Sequence, residues 1–285
     1  MMRRTFWLAL PLLTAVSATY STASSAEREE PNSLTYAIAG DAFVPQSAVH
    51  FGFLDIGTGT FQLIADLPNG AAGLARERGT ILGVDSSNNL IRINPDGKAM
   101  VVGPTGITTP ALHDDARVDV FASLKTGELF LMDYSNNLYS VDRRTGAATL
   151  IGPTGIPVIV FRQYSSSLAG DCHSLFFTLA ERDDDGNLIL PPSLYRIDPR
   201  NAAATLVGST ARAVVGSGFI NGTLYGFSRD LRPFGINEPP HVFSIDTTTG
   251  AATLITDLNV PGVGGAVRLP GGEGCETESH DDAHW

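Results

Sequence analysis

Residues 138–155 read LYSVDRRTGAATLIGPTG, and this stretch decides the fold because the chain repeats it. Two close copies follow it, LYRIDPRNAAATLVGST at 194–210 and VFSIDTTTGAATLITDL at 242–258. Two weaker copies precede it, LIRINPDGKAMVVGPTG at 90–106 and FGFLDIGTGTFQLIADL at 51–67. Self-similarity at a period of tens of residues is the signature of a repeat protein, so the repeated unit determines how the rest of the chain is interpreted.

The unit predicts a β-hairpin. Tyr139 and Val141 alternate with Ser140, which is the period of a strand with one buried face. Asp142 then begins a turn, because its carboxylate can accept hydrogen bonds from the backbone N–H groups just ahead. Gly146 ends the turn, where a left-handed backbone costs glycine no Cβ clash. The run TLI that follows is β-branched and aliphatic, as expected of the returning strand.

The turn varies among the copies. Asp198, Asp246, Asp55 and Asn94 hold its first position in the other four. The copy at Asp198 lacks the closing glycine, and we expect Asn201 to adopt the left-handed conformation there. The turn after Asn94 is one residue shorter than the others.

Two further strand-like runs precede each of four copies, so a full repeat is a meander of four short strands. These pairs of runs lie at 70–75 and 80–85, 118–124 and 128–134, 166–171 and 175–179, and 213–220 and 223–228. A four-stranded repeat of roughly 40–55 residues is typical of a propeller blade.

The two ends of the chain complete the pattern. The copy at 51–67 has one preceding run, at 34–40, and the missing run is found at 263–269. Pairing of these terminal runs would close a ring and remove two exposed sheet edges. Four of the five first runs, those at 70–75, 166–171, 213–220 and 263–269, are rich in Gly, Ala and Ser, as a narrow ring axis requires. We therefore predict an all-β, five-bladed β-propeller of four-stranded blades, closed by pairing of the N- and C-terminal strands. A β-sandwich is the alternative architecture.

The repeat pattern LY-x-[VI]-D-x-x-T-G-A-A-T-L-[IV]-G resembles the blade repeat of secreted bacterial β-propeller proteins of uncharacterised function. The resemblance extends over residues 27–270 and implies the blade architecture. It implies no catalytic residue, because the matching positions are turn and core residues, and function is a property of sites rather than of folds.

The first 26 residues predict a secretory signal peptide. Arg3 and Arg4 precede an apolar run at 6–16, and small residues lead to Ala26. The run is too short to cross a bilayer, and we expect a secreted or periplasmic protein that does not insert into a membrane. The domains are then a signal peptide at 1–26, a five-bladed propeller at 27–270 and an acidic flexible tail at 271–285.

The charge of the chain excludes some partners. The whole chain carries 19 Lys+Arg and 30 Asp+Glu, a net charge of −11. Without Arg3 and Arg4 of the leader the count is 17 against 30, or −13. This sign argues against nucleic acid and anionic lipid as partners. We expect a monomer that uses no cofactor and binds an extracellular ligand, glycan or protein.

Few residues predict chemistry. A glycosidase would need paired carboxylates on the axis, and the first runs hold only Asp119 and Asp171. Glu181, Asp183 and Asp185 are weak calcium candidates, because acids at alternate positions precede a glycine; an acidic solvated hairpin is the simpler interpretation. The tail has His280, Asp281, Asp282 and His284, which could bind a transition metal or form an unpacked terminus.

The two cysteines, Cys172 and Cys275, follow first runs of repeats and should therefore lie at one end of the ring. A disulfide between them would hold the tail and the closing strand in an oxidising compartment. A buried Cys172 and a free thiol in the tail are the alternative.

We expect the binding face at the end of the ring where the long connections lie, at 104–117, 153–164, 181–192 and 229–241. The opposite end has the short Asp-x-x-x-Gly turns. The candidate ligand-binding residues on the long connections are His113, Asp114, Asp115, Arg117, Arg162, Tyr164, Arg229, Asp230, Arg232 and His241. The leading hypothesis is a non-enzymatic binding scaffold; the alternative is an extracellular, glycan-active hydrolase or lyase with a site built from these loops.

Overall fold

The computed structural model describes residues 33–40, 49–77, 79–107, 118–157, 163–183, 187–230, 239–269 and Cys275. These residues form strands β1 to β20 and no helix, in five four-stranded antiparallel sheets. Over these ranges, no helix capable of spanning a bilayer is found. The predicted leader at 1–26 and most of the predicted tail at 271–285 lie outside the described residues, so the domain boundaries stay predictions.

The sheets follow the chain as a series of blades. The closing blade contains β1 (Leu34–Ala39), β2 (Val49–Asp55) and β3 (Thr60–Leu67), together with the last strand of the chain. Blade 1 contains β4 (Ala75–Glu77), β5 (Thr80–Val84), β6 (Asn89–Ile93) and β7 (Ala99–Pro104). Blade 2 contains β8 (Val118–Ser123), β9 (Leu129–Asp133), β10 (Asn137–Val141) and β11 (Ala148–Pro153). Blade 3 contains β12 (Gln163–Gly170), β13 (Leu175–Arg182), β14 (Leu188–Ile197) and β15 (Ala204–Ser209). Blade 4 contains β16 (Gly216–Ile220), β17 (Thr223–Phe227), β18 (His241–Ile245) and β19 (Ala252–Asp257), and β20 (Val263–Arg268) returns to the closing blade.

The last strand, β20, is the inner strand of the closing blade. It pairs antiparallel with β1, with Thr35 opposite Arg268 and Ala37 opposite Ala266. The Thr35 hydroxyl also donates a hydrogen bond to the carbonyl oxygen of Val267. The inner strands contact one another in the order β4, β8, β12, β16, β20 and back to β4. The predicted five-bladed propeller, closed by the terminal strands, is therefore confirmed.

The hydrophobic core is divided among the five interfaces between neighbouring blades. Each interface holds one cluster of buried aliphatic and aromatic side chains. Leu138 of β10 packs toward blade 3 with Phe177, whereas Tyr139 and Val141 pack toward blade 1 with Leu82. The alternation predicted from LYSVD therefore places successive side chains in two different clusters.

The repeated turn has the predicted geometry. The Asp142 carboxylate accepts hydrogen bonds from the backbone N–H groups of Arg144, at 2.8 Å, and Thr145, at 3.0 Å. These N–H groups hold the pKa of Asp142 below its ordinary value. Gly146 lies at φ 81° in the left-handed region. In blade 3 the left-handed residue is Ala202, at φ 63°, so the prediction for Asn201 was wrong by one position.

Two predicted boundaries were also wrong. The inner strand of blade 1 begins at Ala75 rather than at position 70, because Gly70 and Gly73 have φ values of 64° and 78° and interrupt the extended backbone. The predicted loop at 181–192 is shorter, because β13 and β14 extend into it with Glu181 opposite Leu190.

Candidate functional site

A cavity of about 230 Å³ lies on the axis of the ring, toward the C-terminal ends of the inner strands. Backbone approach around the axis is close, as the small residues of these strands predict. A Cβ added to Gly218 of β16, for example, would lie 2.1 Å from the carbonyl oxygen of Ala266 in β20. The inner strands and the turns that follow them supply the wall, whose polar and charged members are Arg76, Ser123, Lys125, Ser217, Asn221 and Arg268.

The wall of the cavity is cationic. Arg76 comes from β4, Lys125 follows β8 and Arg268 ends β20, and among the described residues no acidic side chain lines the cavity. Arg76 donates from Nη1 to the carbonyl oxygens of Leu269, at 2.8 Å, and Arg268, at 3.3 Å. Burial lowers the pKa of Arg76, and the positive charge of Arg268 lowers it further. The ring thus concentrates positive charge at one point of a chain whose net charge is −11.

A buried hydroxyl lies in the same wall. Ser217 of β16 is 5% exposed, and its Oγ has no hydrogen-bond partner among the described residues. A buried hydroxyl without a partner costs free energy, because its bonds to water are lost and not replaced. The Oγ of Ser123, by contrast, contacts the backbone N–H and carbonyl of Arg76. Among the described residues, the Ser217 hydroxyl is therefore a polar group of the cavity wall whose hydrogen-bonding capacity is not used.

The disulfide lies at the same end of the ring as the cationic wall. The structure joins Cys172 and Cys275, whose Cα atoms are 5.5 Å apart, the pairing that the sequence alone left open. Cys172 comes two residues after Gly170, which lines the cavity. Between them, the Asp171 carboxylate accepts hydrogen bonds from the backbone N–H groups of His173 and Ser174, at 2.7 and 2.6 Å.

The axial carboxylates do not form a glycosidase pair within the described residues. Asp171 shapes the turn after β12, at the C-terminal end of that strand. Asp119 is the second residue of β8 and accepts a hydrogen bond from the Ser166 hydroxyl at 2.9 Å. The inner strands β8 and β12 run in the same direction along the axis. Asp119 lies near the start of β8 and Asp171 follows the end of β12, so the two carboxylates lie at opposite ends of the ring.

Three of the ten predicted binding residues are described with their side chains, and the structure brings them together at the end of the ring opposite the cationic wall. Arg229 and Asp230 follow β17, and His241 begins β18. The backbone N–H of Asp230 donates to the carbonyl oxygen of Pro261 at 2.6 Å. His241 Nδ1 lies 2.8 Å from Asp257 Oδ1. The backbone of Tyr164 lies in β12; its side chain and the residues His113, Asp114, Asp115, Arg117, Arg162 and Arg232 lie outside the described part of the chain.

The closing blade has a second histidine–carboxylate pair in the equivalent place. His50 of β2 and Asp66 of β3 lie opposite each other in the strand register, as His241 and Asp257 do in blade 4. The distance from His50 Nδ1 to Asp66 Oδ1 is 2.6 Å. The sequence interpretation missed His50, although its register within the repeat is that of His241.

Two of the three calcium candidates, Glu181 and Asp183, lie in the described part of the chain. Asp183 accepts hydrogen bonds from the backbone N–H and side-chain Nδ2 of Asn187, at 2.8 and 3.0 Å. Glu181 is 1% exposed within β13, and Asp185 lies outside the described residues. Within the described ranges, no group of three or more His, Cys, Asp or Glu side chains could hold a metal ion.

Sequence reasoning also missed the cationic wall. The sequence signal that could have revealed it is a charged residue at the end of an inner strand whose other residues are small and apolar. Strand β20, VGGAVR, ends in this way at Arg268. Arg76 is the equivalent signal within the short strand β4. The incorrect boundary for that strand placed Arg76 outside it.

Comparisons with known proteins place the chain among structures that are similar to it in part. No protein-family model matches the sequence, and no curated protein matches it. The crystal structure of TolB from Acinetobacter baumannii is similar at 12% identity and a TM-score of 0.42, over 80% of this chain and 53% of that one, so the chain spans about half the length of TolB. The PQQ-bound aldose sugar dehydrogenase of Streptomyces coelicolor is similar at 14% identity and a TM-score of 0.44, over 65% of this chain and 62% of that one. The WD40 domain of Neurospora crassa Pan2 is similar at 12% identity and a TM-score of 0.39, over 79% of this chain and 66% of that one. The propeller assignment stands on the strand topology itself, and the resemblance to one particular blade repeat stays a prediction.

Proposed function

We propose that the chain is a secreted, non-enzymatic binding scaffold that takes its ligand in the axial cavity. The observation that carries the proposal is the cavity wall, where the cations Arg76, Lys125 and Arg268 lie with the buried Ser217, whose hydroxyl has no hydrogen-bond partner in the described part of the chain. Closed rings present such groups on rigid strands, which lowers the entropic cost of binding. A site of this kind binds and orients a ligand without needing a nucleophile or a general acid.

Secretion is supported by the composition of the leader and by the cysteines. The basic, apolar and small-residue segments at 1–26 follow the order of a signal peptide. A disulfide between Cys172 and Cys275 persists in an oxidising compartment. Detection of the processed chain outside the cytoplasm, with its N-terminus after Ala23 or Ala26, would test this part of the proposal.

The binding role is tested by a ligand screen on the full mature chain. A glycan array and a panel of small metabolites, followed by thermal shift and calorimetry, should reveal a ligand that raises the melting temperature. A panel of chromogenic hydrolase and lyase substrates, measured in parallel, should show no turnover. Turnover of one substrate class would contradict the non-enzymatic assignment.

One observation favours the alternative, a hydrolase or lyase at the opposite face. The pair formed by His241 and Asp257 has the geometry of a general base oriented by a carboxylate. If this alternative holds, His241→Ala should lower the rate on a chromogenic substrate by about 10²–10⁴. The matched control is His50→Ala, which removes the equivalent pair of the closing blade and should leave the rate unchanged.

The loop residues provide a second test of location. Replacing Arg162, Tyr164 and Arg232 together by Ala should abolish binding if the long-connection face holds the ligand. If binding persists and the fold is intact, the ligand does not bind through these residues. A ligand held by the axial cavity should be insensitive to this triple variant.

A further inference from the structure

We propose that the ligand of the axial cavity is a small anion with two or more carboxylate or phosphate oxygens, bound at the end of the ring marked by the disulfide. This inference rests on the proposed binding function and names its ligand class. The charge of the cavity wall, the size of the cavity and the unsatisfied hydroxyl of Ser217 all favour such a ligand.

The positive charge of the cavity wall determines that the ligand carries a negative charge. Arg76, Lys125 and Arg268 come from three different inner strands or the turns after them, and no acidic residue of the described part of the chain lines the cavity with them. Guanidinium groups present parallel N–H donors that match the geometry of carboxylate and phosphate. A bound anion would relieve the repulsion between Arg76 and Arg268, which lie close enough to influence each other electrostatically.

The size of the cavity limits the ligand. Its volume of about 230 Å³ lies below the roughly 300–1,000 Å³ of sites that enclose drug-sized ligands. The cavity has no room to widen, because the inner strands around it are already in close contact. A Cβ added to Gly170, for example, would lie 2.4 Å from the carbonyl oxygen of Ser123. A compact anion or a terminal anionic group therefore fits better than an extended chain.

Ser217 supplies the third argument. It is a buried hydroxyl that reaches no acceptor among the described residues, and it lines the same cavity as the cations. An oxygen of a bound anion would accept a hydrogen bond from the Ser217 hydroxyl and remove the free-energy cost of leaving that hydroxyl unsatisfied. Ser217→Ala consequently separates a binding role from a structural one, since it removes the hydroxyl and leaves the remaining shape in place.

The test is calorimetry on the full mature chain with inorganic phosphate, a sugar phosphate, citrate and a neutral hexose, each at low and at high sodium chloride. We expect an anion to bind, with affinity that falls as salt rises. Ser217→Ala should weaken that binding roughly ten-fold or more while the melting temperature of the free protein stays level or rises. Phosphate binding without citrate binding would assign the site to phosphoryl groups, and the converse to carboxylates.

A charge reversal with a matched control completes the design. Lys125→Glu should weaken anion binding and reduce its salt dependence, because an exposed cation of the wall becomes an anion. Lys98→Glu makes the same change at a side chain that is 81% exposed and outside the cavity, and it should bind as the parent does. Anion binding that both Lys125→Glu and Ser217→Ala leave intact would overturn the inference.

The two proposals fail in different ways. If the hexose or another neutral ligand binds and Ser217→Ala abolishes that binding, the anion inference is overturned and the binding scaffold stands. If no ligand of any class binds the chain, the proposed function itself fails.

Discussion

Gly146 in the turn of blade 2 lies directly on Gly103 of β7 in blade 1, so that a Cβ added to Gly146 would be 2.4 Å from the carbonyl oxygen of Gly103. The same contact recurs between Gly250 of blade 4 and Gly208 of blade 3. The repeated turn therefore has two roles: it reverses the chain within a blade, and it packs that blade on its neighbour. In these two pairs a glycine lies on each side of the contact between blades, whereas the turn glycines Gly97 and Gly59 meet Ala65 and Asp257.

Gly146→Ala should destabilise the protein by more than the cost of a left-handed alanine alone. That cost is about 1–2 kcal/mol, and the contact with Gly103 adds to it because the neighbouring backbone must move. The control is Gly155→Ala, since Gly155 has φ 75° and nothing lies within 4 Å of its added Cβ. Urea unfolding of the two variants gives the difference, and equal losses would contradict the interblade contact.

Deleting all residues after Gly262 should abolish cooperative unfolding. The deletion removes β20, whose Val263 and Ala266 are almost completely buried against β1 and blade 4, and it opens the ring. Circular dichroism during thermal unfolding measures the effect. Deletion after Leu269 is the matched control, because it keeps β20 and should retain a cooperative transition. A cooperative transition in the shorter protein would show that ring closure is dispensable.

Loss of the disulfide should lower stability by up to about 4–5 kcal/mol in the chain-entropy model, because the bond joins residues 103 positions apart. Reductant should lower the melting temperature of the parent and leave a Cys172→Ser, Cys275→Ser double variant unaffected. Mass spectrometry of the unreduced protein provides the direct check. Two free thiols in the exported protein would refute the pairing.

Tyr139 should report on stability at alkaline pH. Burial, followed by its hydrogen bond to Asp133 at 2.9 Å, raises its pKa to about 12 from the ordinary tyrosine value of 10.0. Because the folded pKa lies above the unfolded one, the stabilising contribution is complete below pH 10 and is lost as the pH rises toward about 12. Phenolate absorbance titrations of the parent and Tyr139→Phe should differ by one group near pH 12.

Tyr195 is the matched control for that titration. It holds the equivalent position of blade 3, and burial raises its pKa without the help of a buried aspartate. Tyr195→Phe removes a tyrosine whose pKa is raised by burial without an aspartate, and it should leave the transition of Tyr139 near pH 12 in place. If both variants lose the same transition, Asp133 does not influence Tyr139.

The blade count and the closure of the ring could be predicted from the sequence because both depend on repeated, local patterns. Five copies of one hairpin and a split repeat at the termini leave few topologies. The exact ends of the strands and turns were harder to predict from the sequence. Whether Asn201 or Ala202 takes the left-handed conformation depends on how the turn packs on blade 2, where Gly152 leaves Ala202 room.

The cationic wall could not be predicted in this way, because no local pattern encodes it. Arg76 and Arg268 are separated by 192 positions, and they meet only after β20 has closed the ring. Lys125 lies in another blade, in the short turn between β8 and β9 of blade 2. Ser217 resembles any serine of a small-residue strand until the burial and the bonding of its hydroxyl are known.

Because β1 and β20 are neighbours in one sheet, the two ends of the propeller leave it from the same blade. The finished ring therefore does not require the chain to begin and end in the closing blade. A circular permutant, with the ends of β20 and β1 joined by a linker and new termini opened between blades 2 and 3, should reach the same architecture. No blade of this permutant would be assembled from both ends of the chain, and its ring would close through the contact between blades 2 and 3.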